Sequence, residues 1–386
     1  MAENEKTTPE VEEVKEETVA TEEVVEETVA TEEVVEETEK APVEEKAAEA
    51  PAKEAPKAEK KEKKEKKTKK EGKKSFLVPA IIAGVVVVLL LVASIVMGVL
   101  APGMYNSKNY AGAYTTSRFA LFLSGDVKDT IAREYVTQVL CPEGKYLAAS
   151  KILEKTGFST EEKNKIYATN EDLALCNKGQ VVTFGKYETD NNMSNGPDPL
   201  EWIVLDVQKI DGKAYAFLMT REIVGGPGGW NRFASSEGNT SYATSNLNSW
   251  CEKDFYTTFT NQDTSLKEKI VAWNVETEDS STGVDSGEAV VAHAYAPSIQ
   301  ELEQYLTGDL AKYMQASVTK SAKTDNVISY GADRLGAYYV RNIGNMEEGA
   351  QWAAGVDKEG KFQEGMGMTS ASIGARVCIR VDLGEY

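Results

Sequence analysis

Histidine is nearly absent: His293 is the single one among 386 residues, so a metal site built from several histidines cannot form within one subunit. Cysteine is scarce too, with four in the chain and no C-x-x-C spacing, which argues against thiol–disulfide catalysis and structural zinc. No G-x-S-x-G stands near a strand-to-helix turn, and the glycines of Gly225–Gly229 are not followed by the Gly-Lys-Ser/Thr of a phosphate cradle. His293 itself lies in VVAHAYAPS, an apolar setting that reads as a structural histidine and not as a base. Positive charge is confined to one block. The net charge is -19, but Met1–Pro56 holds 20 acidic and 5 basic residues, Lys57–Lys74 holds 4 acidic and 11 basic, and Ser75–Tyr386 keeps -11. A nucleic-acid binder built on a basic domain is thereby excluded.

Charge is missing altogether from Phe76 to Ala101, FLVPAIIAGVVVVLLLVASIVMGVLA, a run longer than the roughly 20 residues that cross a bilayer as a helix. The run predicts a transmembrane helix over 76–101, not a signal peptide, because seventy-five residues precede it. Eleven lysines crowd the eighteen residues before it, whereas Pro102–Leu121 carries only Lys108 and Arg118. The amino terminus is therefore expected in the cytoplasm and the carboxyl terminus outside, in a single-pass protein of the cell membrane. Ala80/Gly84 and Ser94/Gly98 have the small-x-x-x-small spacing of close helix pairs. Residues 1–74 read as a disordered tail: EEVKEETVAT, EEVVEETVAT and a truncated EEVVEET repeat every ten residues, followed by an Ala/Pro/Glu stretch and the lysines. The lysine run suits contact with anionic lipid headgroups or serves as a topology signal alone. The acidic repeats suit a spacer or a site for a basic cytoplasmic partner.

Beyond the apolar run, residues 105–176 have apolar residues at three- and four-residue steps, with Gly125 and Gly157 as segment ends and Asp126 and Ser159 as caps. Helical hairpins resembling degenerate tetratricopeptide-type repeats are expected there, acting as a spacer. From Gly179 the texture is β-branched and aromatic: VVTFGKYE, EWIVLDVQKI and KAYAFLMTREIV read as strands, the last two joined by the hairpin signal Asp211-Gly212. Helices are expected at SNLNSWCEKDFYTTF and PSIQELEQYL, the latter with a Ser298/Glu301 capping box, and strands again around AYYVRN, QWAAGVDKEGKF and ARVCIRVDL. The fold class is α+β, mainly antiparallel, over 179–386.

The order V-x-F-G-x-Y, the D-N-N-x-S-N-G loop, E-W-x-V-L-D, L-x-x-W, S-I-x-E-x-E-x-Y-L, Tyr338 and Tyr339 before Arg341, and a final R-x-x-I-x-V-x-L resembles the bacterial family called domain of unknown function 6273. The resemblance covers about Gly179–Tyr386 and implies a C-type-lectin-like fold in a secreted or membrane-anchored protein, with no established activity. Family members carry a serine-proline near the first arginine and a proline after the second, whereas this chain has Asn342 and Val377-Cys378.

Candidate site residues follow from chemistry. Asp190, Asn192, Asp198 and Glu201 fall at EF-hand offsets, though Asn195 stands where the turn wants glycine, so a polar hairpin loop is the main expectation. A mobile glycine-rich loop is expected to present Trp230, next to the Asn/Ser/Thr-rich stretch Asn231–Tyr242, a composition used by sugar- and peptide-binding surfaces. Arg341 and Arg376, in apolar strands, need partners: structural carboxylates, or a ligand carboxylate. The cysteines permit Cys141–Cys176 and Cys251–Cys378 disulfides, with buried free thiols the alternative. No cofactor is implied. These features together read as a membrane-anchored recognition protein for an envelope glycan or peptide. The rival readings are an external hydrolase working through carboxylates, and a transmembrane sensor or structural link that uses the tail. For topology, a membrane-impermeant thiol label on Lys60→Cys should fail to react on intact cells and react after lysis; reaction from outside would reverse the orientation.

Overall fold

The computed structural model describes residues 77–231, 241–322, 332–347 and 350–385. The repeats and the lysine run, expected to be disordered over 1–74, lie outside the described residues, as do 232–240 of the Asn/Ser/Thr-rich stretch. The apolar run forms α1 (Leu77–Asn106), about 45 Å long at 1.5 Å per residue and apolar enough to cross a membrane. The helix continues through Pro102 and ends before Lys108, whose φ of 62° is left-handed. Asn109 then caps α2 (Tyr110–Ser117), its Oδ1 accepting from Gly112 N at 3.0 Å.

The helical expectation for YAGAYTTSRFALFLSG holds only to Ser117. The chain leaves the helix at Arg118 because α2 turns back along α1 and the Leu121 N–H reaches Ser94 Oγ at 2.6 Å. Gly125 starts α3 (Gly125–Tyr135) instead of ending a segment, with Ser124 before it as cap. A wide π turn, Val136–Leu140, extends α3, and α4 (Tyr146–Glu154), α5 (Thr160–Ala168) and α6 (Glu171–Ala174) follow. Ser159 and Glu162 form the reciprocal capping box that fixes where α5 begins. These helices bury Val136, Leu140, Ala149, Leu153, Ile166 and Leu173 among themselves. Leu147 and Cys176 pack into the main core, and Lys269 Nζ meets Asp172 at 2.7 Å, so the helical segment is docked on the sheets.

The strands are β1 (Val181–Tyr187), β2 (Asp198–Ile210) and β3 (Lys213–Thr220), with Asp211 (φ 50°) and Gly212 (φ 82°) making the two-residue hairpin turn. Next come α7 (Asn246–Ser249), a π turn at Trp250–Phe255, α8 (Tyr256–Gln262), α9 (Leu266–Lys269), β4 (Trp273–Val275), β5 (Val290–Ala292), β6 (Ala294–Tyr295) and α10 (Ile299–Tyr305). The remainder supplies β7 (Ala316–Ser317), β8 (Leu335–Gly336), β9 (Tyr338–Glu347), β10 (Ala350–Val356), β11 (Phe362–Met366), β12 (Gly374–Ala375) and β13 (Cys378–Glu385). An antiparallel five-stranded sheet has the order β1-β2-β3-β13-β6, and a four-stranded sheet the order β11-β10-β9-β12, in which β12 runs parallel to β9. The mixed α+β class is thus the observed one. The register puts Trp202, Val204, Leu218, Ile379 and Val381 on one face of β2, β3 and β13, where Phe259 of α8 packs on Trp202. Ile203, Phe217, Met219 and Cys378 lie on the other, where Tyr305 of α10 packs on Phe217, and both faces are buried.

All four cysteines are buried free thiols, and neither the Cys141–Cys176 nor the Cys251–Cys378 bridge is formed. Each thiol sits in an apolar cluster, where the neutral form is favoured. Burial, reinforced by the charge of Asp172, pushes Cys141 up to about 11 and Cys176 to about 12 from an ordinary 9.0. An aromatic disulfide reagent at pH 8 should therefore find no reactive thiol in the folded chain and four in denaturant; two or none in denaturant would show bridging. Since the folded state keeps protons that unfolded thiols release near 9, stability should fall as pH rises from about 9 towards 12.

Candidate binding groove

The three residues expected to gather at a ligand site are spent on the core. Trp230 is fully buried and donates its Nε1–H to Val340 O at 2.9 Å. The glycines around it serve close packing: a Cβ on Gly225 would run into the Trp250 ring, and Gly229 (φ 130°) lies against the backbone of Met368 and Thr369. The expected mobile loop presenting Trp230 is therefore corrected to a packed turn. Arg341, buried on β9, donates Nε and Nη2 to Glu276 O at 3.0 and 2.9 Å and Nη1 to Ala296 O and the Glu301 carboxylate. Arg376 is also fully buried, with Nε and Nη2 on Thr220 O, Nη1 on Tyr313 O at 2.7 Å, and its guanidinium 5.2 Å from the Tyr338 ring centre. Carbonyl dipoles and one carboxylate thus take the place that a ligand carboxylate would fill, and the two arginines do not clamp a ligand.

A third buried arginine was not singled out from the sequence. Arg380 lies between the rings of Phe217 and Trp273, 4.2 Å from each centre, and donates to Gln208 Oε1 at 2.6 Å. Its signal was present, four residues after Arg376 in the apolar segment ARVCIRVDL. His293 is held as expected of a structural histidine: Nδ1 is 2.7 Å from Glu252 Oε1, the ring stacks on Tyr256, and the His293 and Ala294 amides both donate to Glu252 Oε2.

The loop between β1 and β2 brings Asp190 and Asp198 together with Glu188, their ligand atoms within 4.8 Å of one another. Asn192 stays in the loop and caps Ser194, whereas Glu201 leaves for the far side of the strand and pairs with Arg221 at 2.7 Å. Hard divalent cations take oxygen sets of this type. Here the chain's own donors occupy them: Asp198 accepts from the Thr189 hydroxyl and from the Thr189 and Asp190 amides. Those bonds, the hydroxyl's first, hold its carboxyl below the ordinary 3.8. The cluster's visible work is to close the hairpin loop.

An open site occurs instead along the outer edge of β1. Strand pairing leaves β1 at the end of its sheet. Val182 faces Trp202 as a hydrogen-bonded pair, as the Val204 N–H bond to Gln180 O on one side implies, so the N–H and C=O of Val181 and Thr183 point away from β2. Further along, Gly185 (φ 65°) lets Phe259 close over the strand, and the register shifts between Thr183 and Lys186, which bends the second half of the edge away. The straight half opens into a groove of about 580 Å³, walled opposite by Lys163, Asn164 and Tyr167 of α5 and floored by Asn177 and Gln180. That volume lies in the usual ligand range of about 300–1,000 Å³. The lining is mostly uncharged and rich in amides, and the β-branched pair flanking Val182 and the glycine at 185 were its only traces in sequence.

With that geometry in view, the comparisons fall into place. Residues 215–383 match the family described as domain of unknown function (DUF6273), the family to which the C-terminal motifs point. The match begins inside β3, so Val182–Tyr187 and Glu201–Asp206 lie outside it, and so does the groove. Comparisons with curated proteins and with solved structures return no match.

Replacing Arg341 by leucine should destabilise the full chain by about 3 kcal/mol or more, because it strands the Glu301 carboxylate and the buried Ala296 carbonyl and releases that of Glu276. Urea unfolding followed by near-ultraviolet circular dichroism checks this, and a loss under about 1 kcal/mol would mean the buried network is dispensable.

Proposed function

We propose that the chain is a single-pass, membrane-anchored recognition protein whose external α+β region binds an extended peptide by strand addition on β1. The reading rests on one observation: Val181 and Thr183 direct main-chain donors and acceptors into a groove that α5 walls. A peptide laid there would continue the sheet, with its backbone supplying affinity and its alternate side chains meeting Tyr167 and the amides of Asn164 and Asn177. The bend at Gly185 limits the added strand to a few residues and keeps a second sheet from docking edge to edge. An external location is supported by the lysines that precede α1 and by their near absence after it. Peptide is favoured over glycan because a sheet edge matches another backbone, whereas sugar stacking would have one half-buried ring, Tyr167, among the lining residues.

The test uses the detergent-solubilised full chain and an immobilised library of seven-residue peptides. Saturable binding is expected, and Thr183→Pro, which removes one outward donor but no bond to β2, should weaken it about tenfold, the loss of roughly one net hydrogen bond. Binding indifferent to that substitution, or turnover of cell-wall glycans by the chain, overturns the reading.

A further inference from the structure

Just past the end of α2 at Ser117 the chain reads Phe119-Ala120-Leu121-Phe122-Leu123, and three of its large side chains are bare: Phe119 is 62% exposed, Leu121 69% and Phe122 66%. Exposure of that order in an aqueous loop calls for an apolar partner. The segment's position names one. Ala120 packs on Gly98, and the Leu121 N–H donates to the buried hydroxyl of Ser94 at 2.6 Å. Ser94 stands seven residues before Ala101, where the apolar run ends, so the loop lies about 10 Å below that end along the helix axis.

We infer that Phe119, Leu121 and Phe122 form a wedge inserted among the lipid acyl chains of the outer leaflet; this rests on the reading that α1 spans the membrane. Most of the loop's amides are bonded within the chain, that of Phe122 being the exception between 119 and 123. Non-helical backbone survives in hydrocarbon only when its polar groups are satisfied. The Phe119, Ala120 and Leu123 amides donate to Thr116 O, Ser117 O and Ala120 O, and that of Leu121 to Ser94. The one buried serine of the apolar run is thus the acceptor for a loop amide. Small residues, Ser94, Gly98 and Ala101 on α1 and Ala113 and Ala120 opposite, let the two segments approach closely. Ser94 and Gly98, whose spacing suits a second transmembrane helix, are therefore taken by the chain's own loop. Arg118 at one flank and Ser124 and Asp126 at the other are exposed, which suits a segment whose tip alone is immersed, and Tyr105 and Tyr110 stand near the end of α1, where interfacial rings belong.

The test places one spin label per chain, on Phe122→Cys, Val88→Cys or Met193→Cys, in the full chain reconstituted into phosphatidylcholine/phosphatidylglycerol vesicles. The native thiols are buried and leave the introduced one to react. Collision with oxygen against collision with a water-soluble nickel complex reports depth. The expected order is Val88 deepest, Phe122 shallower but within the hydrocarbon, and Met193 in water. A watery Phe122 label beside an immersed Val88 label overturns the wedge and leaves the span intact. Watery labels at both positions overturn the spanning reading and the wedge with it. Spin–spin broadening at position 122 that disappears on dilution with unlabelled chain would put a second copy there in place of lipid, and also overturns the proposal.

Discussion

The guanidinium of Arg341 is the constraint on which the α+β region turns. One side chain on β9 binds the carbonyl after β4, the carbonyl after β6 and a carboxylate on α10, so four segments of the chain are fixed against one another by a single buried cation. Such an arrangement is costly to form and costlier to break, because the Ala296 carbonyl and the Glu301 carboxylate it satisfies are shielded from water. Arg376 repeats the device at the other end of the core, where β3 and the turn at Tyr313 meet, and Arg380 does so with aromatic faces in place of carbonyls. These three cations explain why the two sheets stay in register although short strands and long connections dominate between them.

What could be read in the sequence was what is local. The uncharged run, the Asp211-Gly212 turn, the Ser159 cap and the Ser298/Glu301 capping box each depend on residues within a few positions, and all take the expected form. What could not be read were contacts between distant positions. The helix expected to continue past Ser117 stops because its partner, Ser94, is 27 residues earlier. Trp230 finds its hydrogen-bond acceptor in Val340 O, 110 residues later, and Arg376 is held by a carbonyl 156 residues before it. Composition alone offers Trp230, Arg341 and Arg376 equally as ligand groups or as core, and only the fold decides. The groove was hidden for the converse reason: it is made of main-chain atoms, which every residue carries.

The groove also separates what belongs to the matched family from what belongs to this chain. Its walls lie between Thr160 and Thr183, before residue 215, on the docked helices and the first strand. Residues 215–383 supply the scaffold, with the buried arginines and most of the core. A specificity carried by the preceding segment could change from one chain to another while the scaffold stayed fixed.

One feature of the sheet sets an order of events. β13 is not an edge strand: it lies between β3 and β6, and Val377, just before it, bonds to the Thr220 hydroxyl across 157 positions. Until residues 378–385 are delivered, β3 has one open side and Arg380 has no strand to stand on. The sheet therefore cannot close until almost all of the α+β region has been made, and its closure, which joins β3 to residues 157 positions later, is the slow, non-local step of folding.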